Sequence, residues 1–510
     1  MILKKLLGAI EIMDRKGVID EEHIVEHISN DSRDIGEGDI FVAMKGVLAD
    51  GHDYIQKAKE NGAALVVVDH FTDDDIPQIL VENPRIALAD LACTFYNHPS
   101  KEMKIFGVTA TNGKTSTAYM IRDIFKEAGY EVGVVGTVEV QYKDVSIPSI
   151  LTTPESIHLQ KHLRDMADAG VEVVVMEVSS SAQELYRSRG IDYDIVSFNN
   201  ISVEHLEQHG TFENYFHFKS RLIRHAEEKT AVILNIDAPL IEGLIEKTKG
   251  DVFTAGIEKE ASIGIDAIDL STGFAKFDYV VRRAHRTERW SLEPMVLPIQ
   301  LEVAGYHSVL NAMIAITYGL LEGVGGEVIQ KALRNFSGVE RRFELIYNKE
   351  YMILDDHFAN EKNIAVTLET LCHMEYKDLH LLYAIRGGRG AELNRDNALE
   401  MVKWMHKLPL KTFVATRSEE VVTKKDAVTD KELAAFKEVM AEAGYDVPVV
   451  DNLKSAIESV WRGVGEKDVF LLAGCQGMDH GAKYVWEALA EKSTGDEKSY
   501  WMKKIENRIC

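Results

Sequence analysis

Cysteine is scarce in this chain of 510 residues. Cys93, Cys372, Cys475 and Cys510 stand far apart and form no CxxC pair, which excludes a disulfide framework and a zinc knuckle and points to a reducing, cytoplasmic compartment. Proline is also scarce, at 10 residues, and no low-complexity tract occurs, so neither a fibrous nor a wholly disordered chain fits. Long apolar runs are missing as well. The opening MILKKLLGAIEIMDRKG is broken by Glu11, Asp14 and Arg15, before a signal-peptide core or membrane span could be completed. It reads as an amphipathic first helix. Positive charge is in short supply: 58 basic against 82 acidic residues leave a net charge of −24, a field that repels phosphate backbones and anionic lipid heads. Neither nucleic acid nor a membrane is an expected partner.

What is present is an ordinary globular composition, 45% hydrophobic and 27% charged, long enough for about three domains. Residues 105–109 (IFGVT) read as a buried strand. The segment from Lys114 to Ala128 reads as a helix with Ala118, Ile121 and Phe125 on one face, closed by Gly129. The strand VGVVGTV follows, then a helix marked by Leu159, Leu163 and Met166, then the strands VEVVVMEV, YDIVSF and AVILN. This rhythm demands right-handed crossovers and a mostly parallel sheet covered on both faces. Between 263 and 304 the pattern alternates, as in Phe277, Tyr279 and Val281, which predicts a small antiparallel patch. From 350 a second α/β alternation begins (YMILDD, LHLLYAI, TFVAT, VPVV, DVFLLA). The first hundred residues hold shorter strands, DIFVAMKG and AALVVVD, and end at the polar segment NHPSKEMK. The expected fold class is therefore α/β with three domains: a small α/β domain over 1–100, a central mostly parallel P-loop-type domain over 101–336, and a Rossmann-like domain over 337–510. Asn335 to Gly338 is the expected hinge.

Between IFGVT and its helix lies Ala110-Thr111-Asn112-Gly113-Lys114-Thr115-Ser116. Backbone amides in such a loop can wrap phosphate oxygens at a helix amino end. Lys114 would neutralise β/γ oxygens and Thr115 would offer its hydroxyl to Mg²⁺, which prefers hard oxygen ligands. Val108 stands where the GxxxxGK[ST] pattern has its first Gly, with Gly107 just before it. A solvated Gly-Lys turn capping a helix is the bland alternative; the flanking strand and helix favour nucleotide binding. Glu177 ends VEVVVMEV, where a carboxylate at the strand's carboxyl edge faces the loop.

The stretch GVTATNGKTSTAYMI resembles the ATP loop of the Mur ligases, the amide-forming enzymes that build the peptidoglycan stem peptide. MEVSSSAQELYRSRGIDYDIVSFNNISVEHLEQHGTFENYFHFKSRLI resembles that family's central stretch, and DSRDIGEGDIFVAMKGVLADGHDYI the amino-terminal domain of its tripeptide-forming member. The resemblance is strong over 30–235, fair over 300–365 and poor beyond. It implies uridine-nucleotide, ATPase and amino-acid domains, and the cofactors ATP and Mg²⁺. The reaction it implies is amide formation between a UDP-linked muramoyl peptide and an amino acid, by a cytoplasmic monomer.

Residue by residue, the resemblance makes Lys114, Glu177, His205 and Lys219 the catalytic set. Thr115, Glu177, His205 and a carbamylated Lys219 become the Mg²⁺ ligands, carbamylation requiring a neutral amine. Thr111, Asn112, Gly113, Lys114, Thr115, Ser116, Asn311, Arg342, Asp356 and Asn360 correspond to ATP contacts. Ser32, Arg33, Thr152, Thr153, Ser179 and Arg187 correspond to contacts with the UDP-muramoyl peptide. Glu204 replaces a family Asp, Ser181 a family His and Ser308 a family Asn. His209, four residues beyond His205, receives no role.

The carboxyl-terminal third departs further. The motif Asp-Tyr-Ala-His-Asn-Pro reads here Asp356-His357-Phe358-Ala359-Asn360-Glu361. Where diaminopimelate-adding members carry Asp-Asn-Pro-Arg and Gly-Lys-Gly-His-Glu, this chain has Ser418-Glu419-Glu420-Val421 and Gly474-Cys475-Gln476-Gly477-Met478. Loss of the paired Arg donors argues against diaminopimelate as the incoming amine. A diverged paralogue acting on a pseudomurein-type or polyglutamate-type substrate, and a non-catalytic nucleotide-binding subunit, are the competing readings.

Overall fold

The computed structural model describes residues 1–46, 49–204, 206–270, 274–336, 338–506 and 508. They form two compact units: Met1–Gly264 with Val280–Met295 and Met313–Ile329, and Ile265–Tyr279 with Val296–Ala312 and Gln330–Cys510.

The first unit opens with the helix Leu3–Leu7, which buries Leu3, Leu6 and Leu7, as an amphipathic segment must. A five-stranded sheet follows in the order Asp14–Lys16, Gln78–Leu80, Leu65–Val68, Ile40–Val42, Ile28–Ser29. Only its first pair is antiparallel. The strands drawn from DIFVAMKG and AALVVVD are Ile40–Val42 and Leu65–Val68, buried throughout.

The rest of this unit is built on a larger sheet. Its core order is Asp251–Ala255, Ala231–Asn235, Ile195–Phe198, Lys104–Thr109, Val173–Glu177, Val132–Val135, and every neighbouring pair is parallel. Beyond Val132–Val135 the strands Glu139–Tyr142 and Val145–Pro148 add antiparallel. Parallel strands buried on both faces need near-continuous apolar sequence, and Val173–Glu177 and Ile195–Phe198 are buried at every position. The helix Lys114–Glu127 buries Ala118, Ile121 and Phe125, and Gly129, at φ +92°, turns the chain away. The helix Ser156–Asp168 buries Leu159, Leu163 and Met166.

In the strand Phe274–Val281, Ala275, Phe277, Tyr279 and Val281 are buried in alternation, the period-2 signature of a strand with one core face. The second unit has a six-stranded sheet ordered Glu344–Asn348, Met352–Asp356, Val469–Gly474, Leu379–Ala384, Leu410–Thr416, Val449–Val450. All pairs but the first are parallel. Of the expected hinge, residue 337 lies outside the described residues. No helix of the described residues is long and apolar enough to cross a membrane.

Candidate functional site

The buried strand Lys104–Thr109 delivers the chain to the loop Ala110–Gly113. Gly113 takes φ +83° as the residue before the helix Lys114–Glu127, a left-handed conformation that side chains resist. The first-turn amides of an α-helix have no intrahelical partner and carry the positive end of its dipole. Here that turn is Lys114, Thr115 and Ser116.

The loop is held from outside by a polar frame. Thr111 N donates to Asn200 O and Asn112 N to Asn200 Oδ1, both at 3.0 Å, and Asn200 Nδ2 returns a bond to Asn112 O at 2.8 Å. Thr111 Oγ1 accepts from Ser202 N and lies against Tyr215 Oη, each at 3.0 Å. Such satisfied networks fix one geometry, so the cradle is pre-formed. Asn200 and Tyr215 carry no sequence signal for this role, since an Asn after a strand and a Tyr in a helix occur everywhere.

Two amines meet over one carbonyl. Lys114 Nζ donates to Ala110 O and Thr111 O at 3.0 Å, and Lys219 Nζ donates to Ala110 O at 2.8 Å. Lys219 is only 2% exposed, with its ammonium 5.0 Å from the Tyr215 ring centre. Burial, then the Lys114 charge, pull its pKa well below the ordinary lysine range, against the pull of Glu204. Desolvation of a cation beside a like charge favours the neutral amine.

Opposite stands Glu177, wholly buried at the end of its strand. Its carboxylate accepts from Thr115 Oγ1 at 2.9 Å, Thr137 N at 2.9 Å and Thr137 Oγ1 at 3.0 Å. A buried carboxylate requires such donors. A Cβ on Gly136 would stand 2.3 Å from Glu177 Oε1, so glycine is the residue that admits the carboxylate. Thr137 escapes the sequence reading, although a hydroxyl immediately after VGVVG was the available clue. The Thr115 hydroxyl and the Glu177 carboxylate are hard oxygen donors 2.9 Å apart beside the loop Ala110–Gly113, and this donor set suits Mg²⁺. His205 lies outside the described residues.

The expected substrate contacts partly gather around the main chain of Glu177 and around Thr137. Thr153 Oγ1 donates to Glu177 O at 2.8 Å and accepts from Ser179 N at 3.2 Å. Thr152 Oγ1 lies 3.1 Å from Thr137 Oγ1. Ser179 Oγ accepts from Ala182 N and caps the helix Ser180–Glu184. Arg187 is engaged within the protein: its Nε donates to Glu155 Oε1 at 2.8 Å. Ser32 is buried in the turn Ser32–Asp34, while Arg33 is exposed and paired with Asp31, whose carboxyl it draws down to about 2. His209 is buried between Ser180 Oγ at 2.9 Å and Glu184 Oε2 at 3.1 Å, a structural position.

Asn311, Arg342, Asp356 and Asn360 belong to the second unit. Asn311 and Asp356 are buried, and Asp356 accepts from Phe343 N at 2.8 Å and from the Thr367 hydroxyl. Asn360 caps the helix Glu361–Cys372. Arg342 is exposed, whereas its neighbour Arg341 is buried and bonded to Cys475 O at 3.0 Å, to Gly474 O and to Asp479. Glu420 accepts from Leu453 N at 2.7 Å and Lys454 N at 3.2 Å, so it caps the helix Leu453–Trp461.

Residues 108–319 match the Mur ligase middle domain, and residues 24–96 match the catalytic domain of the Mur ligase family. The UDP-N-acetylmuramoyl-L-alanyl-D-glutamate–2,6-diaminopimelate ligase of Bacillus velezensis is 34% identical over 78% of this chain and 80% of its own length. The enzyme of the same name from Clostridium botulinum is 32% identical over 88% and 90%. Among solved structures, a UDP-N-acetylmuramoyl-L-alanyl-D-glutamate–2,6-diaminopimelate ligase superposes with a TM-score of 0.66 at 20% identity, covering 93% of both chains. That likeness concerns the fold.

Proposed function

The chain belongs to the Mur ligase family of ATP-dependent carboxylate–amine ligases, and we propose that it joins a UDP-N-acetylmuramoyl peptide of the L-Ala-D-Glu type to an amino acid. The observation that carries this reading is the pairing of Thr115 and Glu177 beside the loop, with the buried amine of Lys219 sharing the Ala110 carbonyl with Lys114. A scaffold has no physical need to bury a lysine next to a second lysine at a phosphate cradle.

In the proposed reaction the loop amides and Lys114 bind the ATP phosphates. A carboxylate oxygen of the peptide attacks the γ-phosphorus, the bond to the β-phosphate oxygen breaks, and ADP leaves an acyl phosphate. The neutral amine of the incoming amino acid attacks that carbonyl, phosphate departs, and the amide forms with loss of the amine proton. Thr115 and Glu177, with His205 and a carbamylated Lys219, would hold Mg²⁺, which would supply charge neutralisation at the phosphates. Lys219 suits carbamylation because burial and Lys114 favour its uncharged form, whose lone pair can add to CO₂. Ser32, Arg33, Thr152, Thr153, Ser179 and Arg187 form the proposed peptide side. For Arg187 this requires exchange of Glu155 for a substrate carboxylate. Asn311, Arg342, Asp356 and Asn360 complete the ATP side. The division into 1–100, 101–336 and 337–510, the monomeric state and the cytoplasmic location are parts of the same proposal.

The relatives' names carry 2,6-diaminopimelate as the amine. In this chain the Ser418–Val421 segment carries no Arg, and the adjoining Arg417 is paired with Glu419 and Asp451, so another amino acid is the proposed partner. Phosphate release with ATP, Mg²⁺ and UDP-N-acetylmuramoyl-L-Ala-D-Glu tests this, using a panel that includes lysine and diaminopimelate, with products weighed. One amine is expected to stimulate release and to appear in the product mass. Nucleotide binding with no amine stimulating release would sink the proposal and favour a non-catalytic subunit or a different acceptor.

A further inference from the structure

Far along the sequence from the phosphate loop, the amino-terminal sheet brings two histidines and two aspartates together. His52 lies in the 3₁₀ turn Gly51–Tyr54, whose capping residue Asp50 accepts from His52 N at 3.0 Å. The same carboxylate oxygen lies 2.7 Å from His52 Nδ1. An ionised carboxylate only accepts, so Nδ1 carries a proton toward Asp50, and in the neutral ring Nε2 is the nitrogen left with a lone pair. The His52 side chain is 6% exposed, and its Nε2 is buried without a hydrogen-bond partner.

That orphaned nitrogen faces Asp69 and His70, which directly follow the buried strand Leu65–Val68. Asp69 Oδ1 is 3.3 Å from His52 Nε2 and 2.6 Å from His70 Nδ1. The two imidazoles stack with centroids 4.1 Å apart. One ligand atom from each of His52, Asp69 and His70 can be chosen so that all three lie within 4.8 Å of one another. A nitrogen lone pair facing a carboxylate oxygen at this distance is repulsive, so the pair calls for a cation between them, a metal ion or a proton. The turn that carries His52 is itself built in, for a Cβ on Gly51 would stand 2.5 Å from Met44 N.

We propose that His52, Asp69 and His70 form a binding site for one divalent transition-metal ion of the Zn²⁺ class, separate from the Mg²⁺ ligands of the ligase reaction. Two imidazoles and a carboxylate are a ligand set that Zn²⁺ accepts with a water in the fourth position, and imidazole selects against Mg²⁺. Asp50 is the outer carboxylate that fixes the His52 tautomer. Ligand atoms around Zn²⁺, each about 2.0–2.1 Å away, sit closer together than 4.8 Å. The exposed His70 ring, 61% accessible at its side chain, provides the movement by turning out of its stack. The bound ion would tie the turn Gly51–Tyr54 to the end of the strand Leu65–Val68.

The test uses the full chain, stripped with a chelator that is then removed, in buffer free of nucleotide and Mg²⁺. Zn²⁺ is titrated by calorimetry, and Co²⁺ is followed through its visible d–d absorption. The wild-type chain is expected to take one equivalent that His70→Ala and Asp69→Asn each weaken by about tenfold or more, with unchanged far-ultraviolet circular dichroism. Because His70 is exposed, its variant folds even if His52→Ala does not. Equal binding by wild type and His70→Ala, or no wild-type equivalent, would overturn the site. The second result leaves a proton shared between His52 and Asp69 as the cation.

Discussion

Glu177 shows how a single methyl group can be placed at odds with chemistry. Its carboxylate occupies the space beside Gly136 and takes three hydrogen bonds from Thr115 and Thr137. Gly136→Ala is therefore expected to push the carboxylate off Thr115 and lower kcat by about 10²-fold, the scale of misplacing a reacting group by 1 Å. Steady-state kinetics beside circular dichroism checks this; an active, correctly folded Gly136→Ala enzyme would dissociate Glu177 from the reaction. The placement of Lys114, Thr115 and Glu177 is readable in sequence because it is local: a loop spacing between a strand and a helix, and an acid at the end of an apolar strand. Lys219 is different. Its helix, FENYFHFK, looks like a polar surface segment, and only the packing that buries Tyr215 and Lys219 draws the lysine's pKa well below its ordinary range. In the pair Arg341-Arg342 the sequence resemblance selects the exposed residue, and the buried guanidinium is its neighbour.

At the scale of elements, most strands and helices follow from periodicity, since burial on two faces demands unbroken apolar runs and burial on one face demands alternation or a 3.6-residue repeat. The pair Glu344–Asn348 and Met352–Asp356 does not follow. It is antiparallel at the edge of a parallel sheet and is held by charges distant in sequence. Asp355, wholly buried, accepts from Arg508 Nη2 at 3.0 Å and pairs with Arg341 at 3.4 Å, while Arg508 Nη1 donates to Glu344 at 3.1 Å. No local pattern links residues 355 and 508. The helix Tyr306–Leu321 carries a consequence for acid stability. His307 is half-buried in its first turn, and the loss of water around its ring, with the Arg342 charge adding, pushes its pKa down to about 4. The unfolded histidine titrates near 6.5. Between those values the unfolded chain binds more protons, so stability falls as the pH drops from about 6.5 and the loss is complete below about 4. The expected cost is on the order of 3 kcal/mol. Urea midpoints between pH 7 and 5 should fall for the wild type and flatten in His307→Gln; parallel slopes for the two would acquit His307.

For the whole molecule, two compact units predict that unfolding departs from a single transition. A magnesium complex of a non-hydrolysable ATP analogue, at 100 times its Kd, is expected to stabilise the chain by about 2.7 kcal/mol. Calorimetric scans should show that increment vanish in Lys114→Ala. An undiminished shift in the variant would move nucleotide binding away from the loop. The sequence alone determines the fold class, the succession of strands and helices, the loop before the helix Lys114–Glu127 and the acid at the end of its neighbouring strand, because these arise from contacts between near neighbours and from the obligation to bury apolar faces. The tertiary structure decides what depends on closure of long loops. It buries Lys219 against Ala110, admits Glu177 beside Gly136, engages Arg187 with Glu155, and sets His52 against Asp69 and His70. In each case the energy of a charge is set by the water it loses and the partners it meets, and a linear pattern specifies neither.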